Sequence, residues 1–206
     1  MTIHEARHLL DPFPTFGLGT IRLFRPGFAQ QSLARWKAAG RIIRVASGHY
    51  VFPGSVSDET DLFAIANSLY RPSYVSLETA LSVHGLIPET IHSVTSVTTR
   101  KTRRVDSPVG SFSYRTLGTR LFFGYVRQEG RRHPCMIARP EKAILDFLYL
   151  NPSYDRPDAL RELRIDPEAF SGLSQRRLDA YCRRFGKGSL EHRLRALEVV
   201  MSDAGT

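Results

Sequence analysis

The chain has 206 residues, 42% of them hydrophobic and 10% aromatic, which is enough for one ordinary domain or two small ones and excludes a disordered tail. Lysine and arginine total 29 against 20 aspartate and glutamate, so the net charge is +9 and an acidic partner such as nucleic acid is favoured. The two cysteines, Cys135 and Cys182, lie far apart, which predicts neither a disulfide framework nor a zinc finger.

The excess charge is confined to two stretches. Residues 1–57 carry +5 and residues 100–139 carry +8, whereas residues 58–99 carry −4 and the remainder is neutral. Apolar runs are too short to cross a membrane, and the first residues lack the pattern of a signal peptide. We therefore expect a cytoplasmic protein without membrane contact, cofactor or metal.

The first 57 residues predict three helices and a hairpin. Thr2 and Glu5 form a capping box for a helix over 3–10, which the prolines at 12 and 14 end. A second helix is predicted over 17–24 and a third over 28–39, with Ala29, Leu33 and Trp36 inward and Gly40 as its C-cap. Two β-type runs over 41–53 flank a Ser-Gly turn. This order predicts a winged helix-turn-helix domain, residues 1–57.

Such a domain binds double-stranded DNA with its third helix in the major groove and its hairpin beside the sugar-phosphate backbone. Glutamine can pair with adenine and arginine with guanine, so the expected base readers are Gln30, Gln31 and Arg35. The expected phosphate contacts are Arg25, Lys37, Arg41, Arg44 and His49. The alternative is that this helix face and hairpin are solvated parts of another α+β fold.

Two further motifs match known signatures weakly. Residues 4–8 read His-Glu-Ala-Arg-His, a match to the HExxH zinc motif, but no third ligand is evident and Glu5 already has a capping role. We expect His4 and His8 to be exposed helix residues. The Gly-Leu-Gly sequence at 17–19 is similar to a phosphate loop, yet Arg22 stands where a third glycine would be needed, so it predicts a helix start.

Residues 58–206 predict an α+β domain with a small, mainly antiparallel sheet and terminal helices. An acidic first turn opens a helix over 58–70, and Ser76 is placed to cap a second helix that Gly85 ends. The predicted strands are 93–99, the segment around Phe112 and Tyr114, and 121–126. Further helices are predicted from Pro140 and near 157–164, 174–185 and 189–201.

A second basic patch lies between these strands. It consists of Arg100, Lys101, Arg103 and Arg104, and more arginines follow as far as position 132. Clustered like charge repels itself unless it faces water or an anion. The patch is therefore either a second nucleic-acid contact or a solvated edge of the sheet.

Three segments, in order along nearly the whole chain, carry a family resemblance. They are GRIIRVASGHYVFP at 40–53, PSYVSLETALSVHG at 72–85 leading to Arg100, and IARPEKAILD at 137–146. Together they resemble the AbiEi family of antitoxins and transcriptional regulators from bacterial type IV (abortive infection) toxin–antitoxin systems. The resemblance implies a non-enzymatic protein whose winged helix binds inverted repeats in its own promoter and represses the operon. It also implies a C-terminal domain that counteracts a nucleotidyltransferase-type toxin, although the family includes regulators without toxin neighbours.

Acidic residues beside a lysine leave an enzymatic alternative. Glu78, Glu141 and Asp146, with Lys142, are residue types with which metal-dependent nucleases hold Mg²⁺ and position water. However, Glu141 and Lys142 adjoin at a helix start, where neighbouring side chains diverge. We favour a structural interpretation in which Glu141, Lys142 and Asp146 tie their helix to the sheet through ion pairs.

Overall fold

Helices and strands are mixed along the chain in an α+β arrangement, as predicted. The computed structural model describes residues 1–88 and 93–204, so 89–92 and 205–206 of the predicted second domain lie outside the described residues. The helices in the described ranges are α1 (Ile3–Leu10), α2 (Leu18–Phe24), α3 (Gln30–Ala38), α4 (Glu59–Leu69), α5 (Leu77–Val83), α6 (Pro140–Leu150), α7 (Pro157–Glu162), α8 (Pro167–Ser171), α9 (Gln175–Phe185) and α10 (Gly188–Ala204). The strands there are β1 (Ile43–Ala46), β2 (His49–Val51), β3 (Ser73–Val75), β4 (Ser93–Thr98), β5 (Arg103–Ser107), β6 (Gly110–Thr116), β7 (Tyr125–Gln128) and β8 (Cys135–Ala138).

The first three helices and the hairpin share a hydrophobic cluster. The capping box forms as predicted, because the Thr2 backbone N–H donates to Glu5 Oε2 at 2.8 Å and the Glu5 N–H donates to Thr2 Oγ1 at 3.3 Å. Leu33 and Trp36 are buried as predicted, but Ala29 is exposed because it precedes α3 as its N-cap. The buried members of the cluster are Ala6, Leu10, Phe16, Ile21, Phe28, Leu33, Trp36, Ile42 and Phe52.

The hairpin turn packs directly against the start of α2. β1 and β2 pair antiparallel around Gly48, whose φ of 76° lies in the left-handed region that glycine tolerates. A Cβ atom on Gly17 would lie 2.2 Å from the Gly48 carbonyl oxygen, so only glycine fits at position 17. The first glycine of the Gly-Leu-Gly sequence therefore has a packing role at a helix start.

The hairpin also contacts the hydrophobic core of residues 58–206, the predicted second domain. Ile42 and Phe52, which flank its strands, belong to the first cluster, whereas Val45 and Val51 join the larger cluster of the second domain. In addition, β1 lies against β5. The predicted boundary at residue 57 therefore divides the sequence more sharply than it divides the packing.

The second domain is built on a six-stranded mixed sheet in the order β5-β6-β4-β3-β8-β7. Neighbours β5–β6, β4–β3 and β8–β7 are antiparallel, while β6–β4 and β3–β8 are parallel. The sheet is therefore larger than the small, mainly antiparallel sheet that the sequence predicted, and three of its five strand pairings are antiparallel. The strand predicted over 121–126 begins only at Tyr125, because residues 119–121 form a 3₁₀ turn.

Helices cover both faces of this sheet. On one face α4 packs across the strands, and the Tyr114 hydroxyl donates to the Ala66 carbonyl oxygen at 2.7 Å. α5 and α6 cover the other face, and α9 and α10 pack on α6. In α10, a helix predicted near 189–201, Leu190, Leu194 and Leu197 are buried. Within the described ranges, no helix is both long and apolar enough to cross a bilayer.

Candidate nucleic-acid interface

The exposed face of α3 presents most of the predicted DNA contacts together. Leu33 and Trp36 are buried, and the Trp36 ring lies 5.1 Å from the ring of Phe28, so the opposite face of the helix points to solvent. The predicted contacts on α3 are all exposed: Gln30, Gln31, Arg35 and Lys37. The helix thus has one apolar face and one polar, cationic face.

The amino end of α3 adds positive potential to this face. Among the described residues, no side chain caps the first turn, because Ala29 occupies the N-cap position. The exposed backbone N–H groups of a helix start carry partial positive charge and attract anions such as phosphate. The start of α3 is therefore electrostatically suited to lie near a sugar-phosphate backbone.

Positive charge around α3 has little compensation from its own segment, although the charge of Arg25 also acts on Glu5. Residues 12–57 contain six arginines and lysines and no aspartate or glutamate. The two acidic residues of the first domain are engaged on α1 and just after it. Glu5 accepts from the Thr2 backbone, and Asp11 Oδ1 pairs with Arg132 Nη2 at 2.6 Å. The charge of α3 and the hairpin thus remains available to an external anion.

Arginines that flank α3 in sequence are exposed as well. Arg25 follows α2, Arg41 follows α3, and Arg44 projects from β1 on the side opposite the buried Val45. The Arg44 Nε donates to the Ala46 carbonyl oxygen at 3.4 Å, a contact within the hairpin that leaves the rest of the guanidinium exposed. These three residues retain the exposure that phosphate contact requires.

His49 has a different environment from the other predicted contacts. Its ring is half-buried, and Nδ1 lies 3.0 Å from Thr15 Oγ1, which in turn lies 2.8 Å from Ser68 Oγ on α4. Burial lowers the pKa of His49, and the positive charges of Arg103 and Arg71 lower it further. A neutral, half-buried ring is a poor phosphate ligand, so we assign His49 to the contact between hairpin and α4 instead.

The second basic patch adjoins the hairpin. Arg100, Lys101, Arg103 and Arg104 are all exposed, on β5 or directly before it, and β5 lies beside β1. Arg100 and Arg103 stack on the Tyr70 ring, with 4.4 and 5.2 Å between guanidinium carbon and ring centroid. Arg104 Nε pairs with Asp106 at 3.1 Å. The patch is therefore continuous with the hairpin, but its charge is partly engaged.

Other arginines of the basic stretch have internal partners. Arg115 Nη2 donates to the Leu150 carbonyl oxygen at 2.8 Å, at the end of α6. Arg132 bridges to Asp11 of the first domain, as described above. Arg127 Nε pairs with Glu129 at 3.1 Å on the surface. The sequence did not indicate these partners.

Lys142 and Asp146 form a buried ion pair within α6, one helical turn apart. Both side chains are fully buried, and Lys142 Nζ donates to Asp146 Oδ1 and, at 3.0 Å, to the Tyr74 hydroxyl. Asp146 Oδ2 accepts from the Tyr74 hydroxyl at 2.8 Å and from Ser76 Oγ at 2.9 Å. Ser76 therefore precedes α5 as predicted, but its hydroxyl binds Asp146 and does not cap the helix.

Burial and mutual contact act in opposite directions on this pair. Burial raises the pKa of Asp146 and lowers that of Lys142, whereas the attraction between the two charges opposes both shifts. Burial and the Asp146 charge raise the pKa of the Tyr74 hydroxyl far above its ordinary value. The network links β3, α5 and α6 through hydrogen bonds of Tyr74 and Ser76. Lys142 and Asp146 therefore hold α6 to the sheet as predicted, but the predicted ion pair to the sheet is wrong, because the two charges pair with each other within the helix.

Glu141 and Glu78 do not join this network. Glu141 Oε1 pairs with Arg177 Nη1 at 2.8 Å and accepts from the Ser174 backbone N–H at 3.1 Å, which ties α6 to the start of α9.

On α1, His4 and His8 are exposed, as predicted. Across residues 1–88 and 93–204, no three histidine, cysteine or acidic side chains come together as a metal site.

One cation near the hairpin was not predicted from the sequence. Arg71 is exposed between α4 and β3, and its charge acts on His49. Its only sequence signal is its position as the single cation in an acidic segment.

In comparisons with known proteins, no family model and no curated protein matches this chain.

Proposed function

We propose that this protein is a cytoplasmic, DNA-binding transcriptional regulator whose residues 1–57 form a winged helix-turn-helix. In this proposal α3 is the recognition helix, and the β1–β2 hairpin is the wing. The observation that carries it is the exposed polar and cationic face of α3, flanked by exposed arginines within a stretch that contains no acidic residue. A helix with this face fits the major groove, and the adjacent cations suit the phosphates.

The proposed contacts divide into two kinds. Gln30, Gln31 and Arg35 would read base edges, and their removal should reduce discrimination between sequences. The exposed cations around them would bind phosphates without sequence preference. Their removal should lower the affinity for all duplexes equally. This second set consists of Arg25, Lys37, Arg41 and Arg44.

The biological role follows from the resemblance of three segments to the AbiEi family. We propose that the protein binds inverted repeats in its own promoter, represses that operon and counteracts a nucleotidyltransferase-type toxin. The second domain, with its mixed sheet and the helices that follow α6, would carry the antitoxin activity. This part depends on the resemblance, whereas the DNA-binding proposal also depends on the face of α3.

Binding of duplex DNA by fluorescence anisotropy tests the first part. We expect DNA from the protein's own upstream region to bind at least tenfold more tightly than a shuffled duplex of equal composition, in line with the cost of mismatched base contacts. Arg35→Ala should remove most of this preference. Arg176→Ala serves as a matched control, because Arg176 is an exposed arginine on α9. Equal affinity for both duplexes would refute the proposal of specific DNA binding.

A co-expression assay tests the antitoxin role separately. Where a nucleotidyltransferase gene adjoins the gene for this protein, expression of the nucleotidyltransferase alone should arrest growth. Co-expression of residues 1–206 should restore growth. Variants that abolish DNA binding should still rescue growth, because they leave the second domain intact. Failure of the wild-type chain to rescue would overturn the antitoxin role without affecting the DNA-binding result.

A further inference from the structure

A groove of about 400 Å³ lies where α4 meets the starting ends of the parallel strands β3 and β8. Its walls include Ala64 of α4, the rings of Phe122 and Tyr125, and Met136 of β8. Pro14 of the first domain also lines it. A volume of this size, with mostly apolar walls and a few polar groups, is typical of sites for small organic ligands.

The aromatic wall of the groove is held in place from behind. Tyr125 stacks on Tyr74 with ring centroids 4.7 Å apart and planes 17° from parallel, and Phe122 lies 4.9 Å from the same ring. Tyr74 is fully buried, and its hydroxyl donates to Asp146. A flat ligand ring would therefore meet a surface whose geometry is already fixed, which reduces the entropic cost of binding.

A buried hydroxyl in the groove has an unmet hydrogen bond. Ser73 lines the groove and is 8% exposed, and its Oγ has no hydrogen-bond partner among the described residues. A buried polar atom without a partner costs free energy, which a ligand acceptor would recover. Ser73 thus places one unsatisfied polar group at a wall that also includes Asn67 and Ser68.

The charges that line the groove are all positive. Arg71 and Arg127 both line it, and no aspartate or glutamate does among the described residues. Arg127 pairs with Glu129, but both side chains are more than half exposed, and such a surface pair is weak enough to yield to a ligand. Two arginines beside an apolar slot favour a ligand with one anionic group.

We propose that this groove binds a small aromatic carboxylate. Its ring would lie against Tyr125 and Phe122, and its carboxylate would accept hydrogen bonds from Arg71 and from Ser73, with Arg127 adding positive charge. Burial raises the pKa of the neighbouring Cys135 thiol to about 11, so this thiol is protonated at neutral pH. This site stands apart from α3 and does not require DNA binding.

Isothermal titration with naphthaleneacetate as the probe tests the site, with naphthaleneacetamide as its uncharged match. The carboxylate should bind at least about tenfold more tightly than the amide, the effect expected for one charge-assisted hydrogen bond. Arg71→Gln should weaken binding of the carboxylate by a similar factor and leave the affinity for the amide unchanged. Arg176→Gln, at an exposed position on α9, should change neither.

Methyl NMR of the three methionines locates the probe. The signal of Met136 should shift on titration, whereas that of Met201, buried in α10, should not. Ser73→Ala supplies a second test in which no charged residue is changed. It should weaken binding of the carboxylate and leave the melting temperature unchanged. Equal binding of acid and amide, no binding at millimolar probe, or a shift at Met201 alone would each overturn the proposal.

Discussion

Cations in residues 12–57 and cations in the second domain differ in the partners that they contact. In the first stretch, Arg35 and Arg41 are exposed on or beside α3, and no acidic residue lies nearby in sequence. In the second domain, Arg115 binds the end of α6, Arg132 binds Asp11, and Lys142 is fully buried on Asp146. A segment's net charge therefore does not indicate how much of that charge is available to a partner.

The largest expected effect comes from the most deeply engaged cation, Lys142. Asp146→Asn leaves the Lys142 ammonium buried without a counter-charge. This variant should lower the free energy of unfolding by about 3–5 kcal/mol, measured by urea denaturation. Adding Lys142→Met should recover a large part of this stability, because the double variant contains no buried charge. A single variant as stable as the wild type would mean that the pair has no structural role.

Removal of the available cations should affect DNA affinity and leave stability unchanged. We expect the combined change of Arg25, Arg35, Arg41 and Arg44 to glutamine to weaken DNA binding by about 100-fold at moderate salt. The slope of log affinity against log salt concentration should become shallower by about 0.9 for each phosphate that is no longer neutralised. The melting temperature should not change, since the exposed guanidinium groups make few interactions with the rest of the protein. A fall in melting temperature comparable to that of Asp146→Asn would contradict the comparison.

Local patterns in the sequence predicted the parts of the fold that local interactions determine. The capping box at Thr2 and Glu5, the amphipathic spacing of Leu33 and Trp36, and the glycine turn of the hairpin each depend on neighbours within a few residues. The spacing of Leu33 and Trp36 also determines which side of α3 is exposed. The exposure of its cations was therefore predictable.

Contacts between distant segments were not predictable from such patterns. Strands β3 and β8 are three and four residues long, too short to show an alternating pattern, and both lie inside the sheet. The partners Arg132–Asp11 and His49–Thr15 are 121 and 34 residues apart. Ser76 has the local pattern of a helix cap, yet a carboxylate 70 residues away accepts its hydrogen bond. Tertiary contacts thus decide which polar side chains are free.

An intermediate effect is expected at Arg115, which is half-buried in the second basic stretch. Arg115→Ala removes hydrogen bonds to the Leu150 carbonyl oxygen and to Asn151 Oδ1, at the negative end of the α6 dipole. The free energy of unfolding should fall by about 1–2 kcal/mol, and DNA affinity should be unchanged. Arg120→Ala is the matched control, because Arg120 is exposed nearby. Equal stability of the two variants would argue that Arg115 is not engaged as the geometry indicates.

A smaller effect is expected for the ion pair between the domains. Arg132 Nη2 and Asp11 Oδ1 are 2.6 Å apart, but the two side chains are 30% and 60% exposed, so water screens their attraction. A double-mutant cycle with Arg132→Ala and Asp11→Ala should give a coupling free energy of about 0.5 kcal/mol. The coupling should decline as salt is added. A coupling that is zero at low salt would show that the two domains do not use this ion pair.

The smallest effect concerns pH and the half-buried histidines. Burial and the charges of Arg103 and Arg71 lower the pKa of His49 below its ordinary 6.5, and burial with Arg132 lowers that of His133, against the opposing charges of Asp11 and Asp61. The unfolded chain therefore binds more protons than the folded one as pH falls through 6.5, so folded stability is complete above this pH and decreases below it.

We expect the free energy of unfolding to decline slightly between about pH 7 and pH 5, where the carboxylates with lowered pKa values remain ionised. His49→Gln should flatten part of this decline, and His8→Gln, at an exposed histidine on α1, should not. If His49 instead bound phosphate as a cation, it would be His49→Gln that weakened DNA binding more at pH 5 than at pH 7. Urea titrations and DNA anisotropy at the two pH values therefore separate a histidine engaged within the fold from a cation available to DNA.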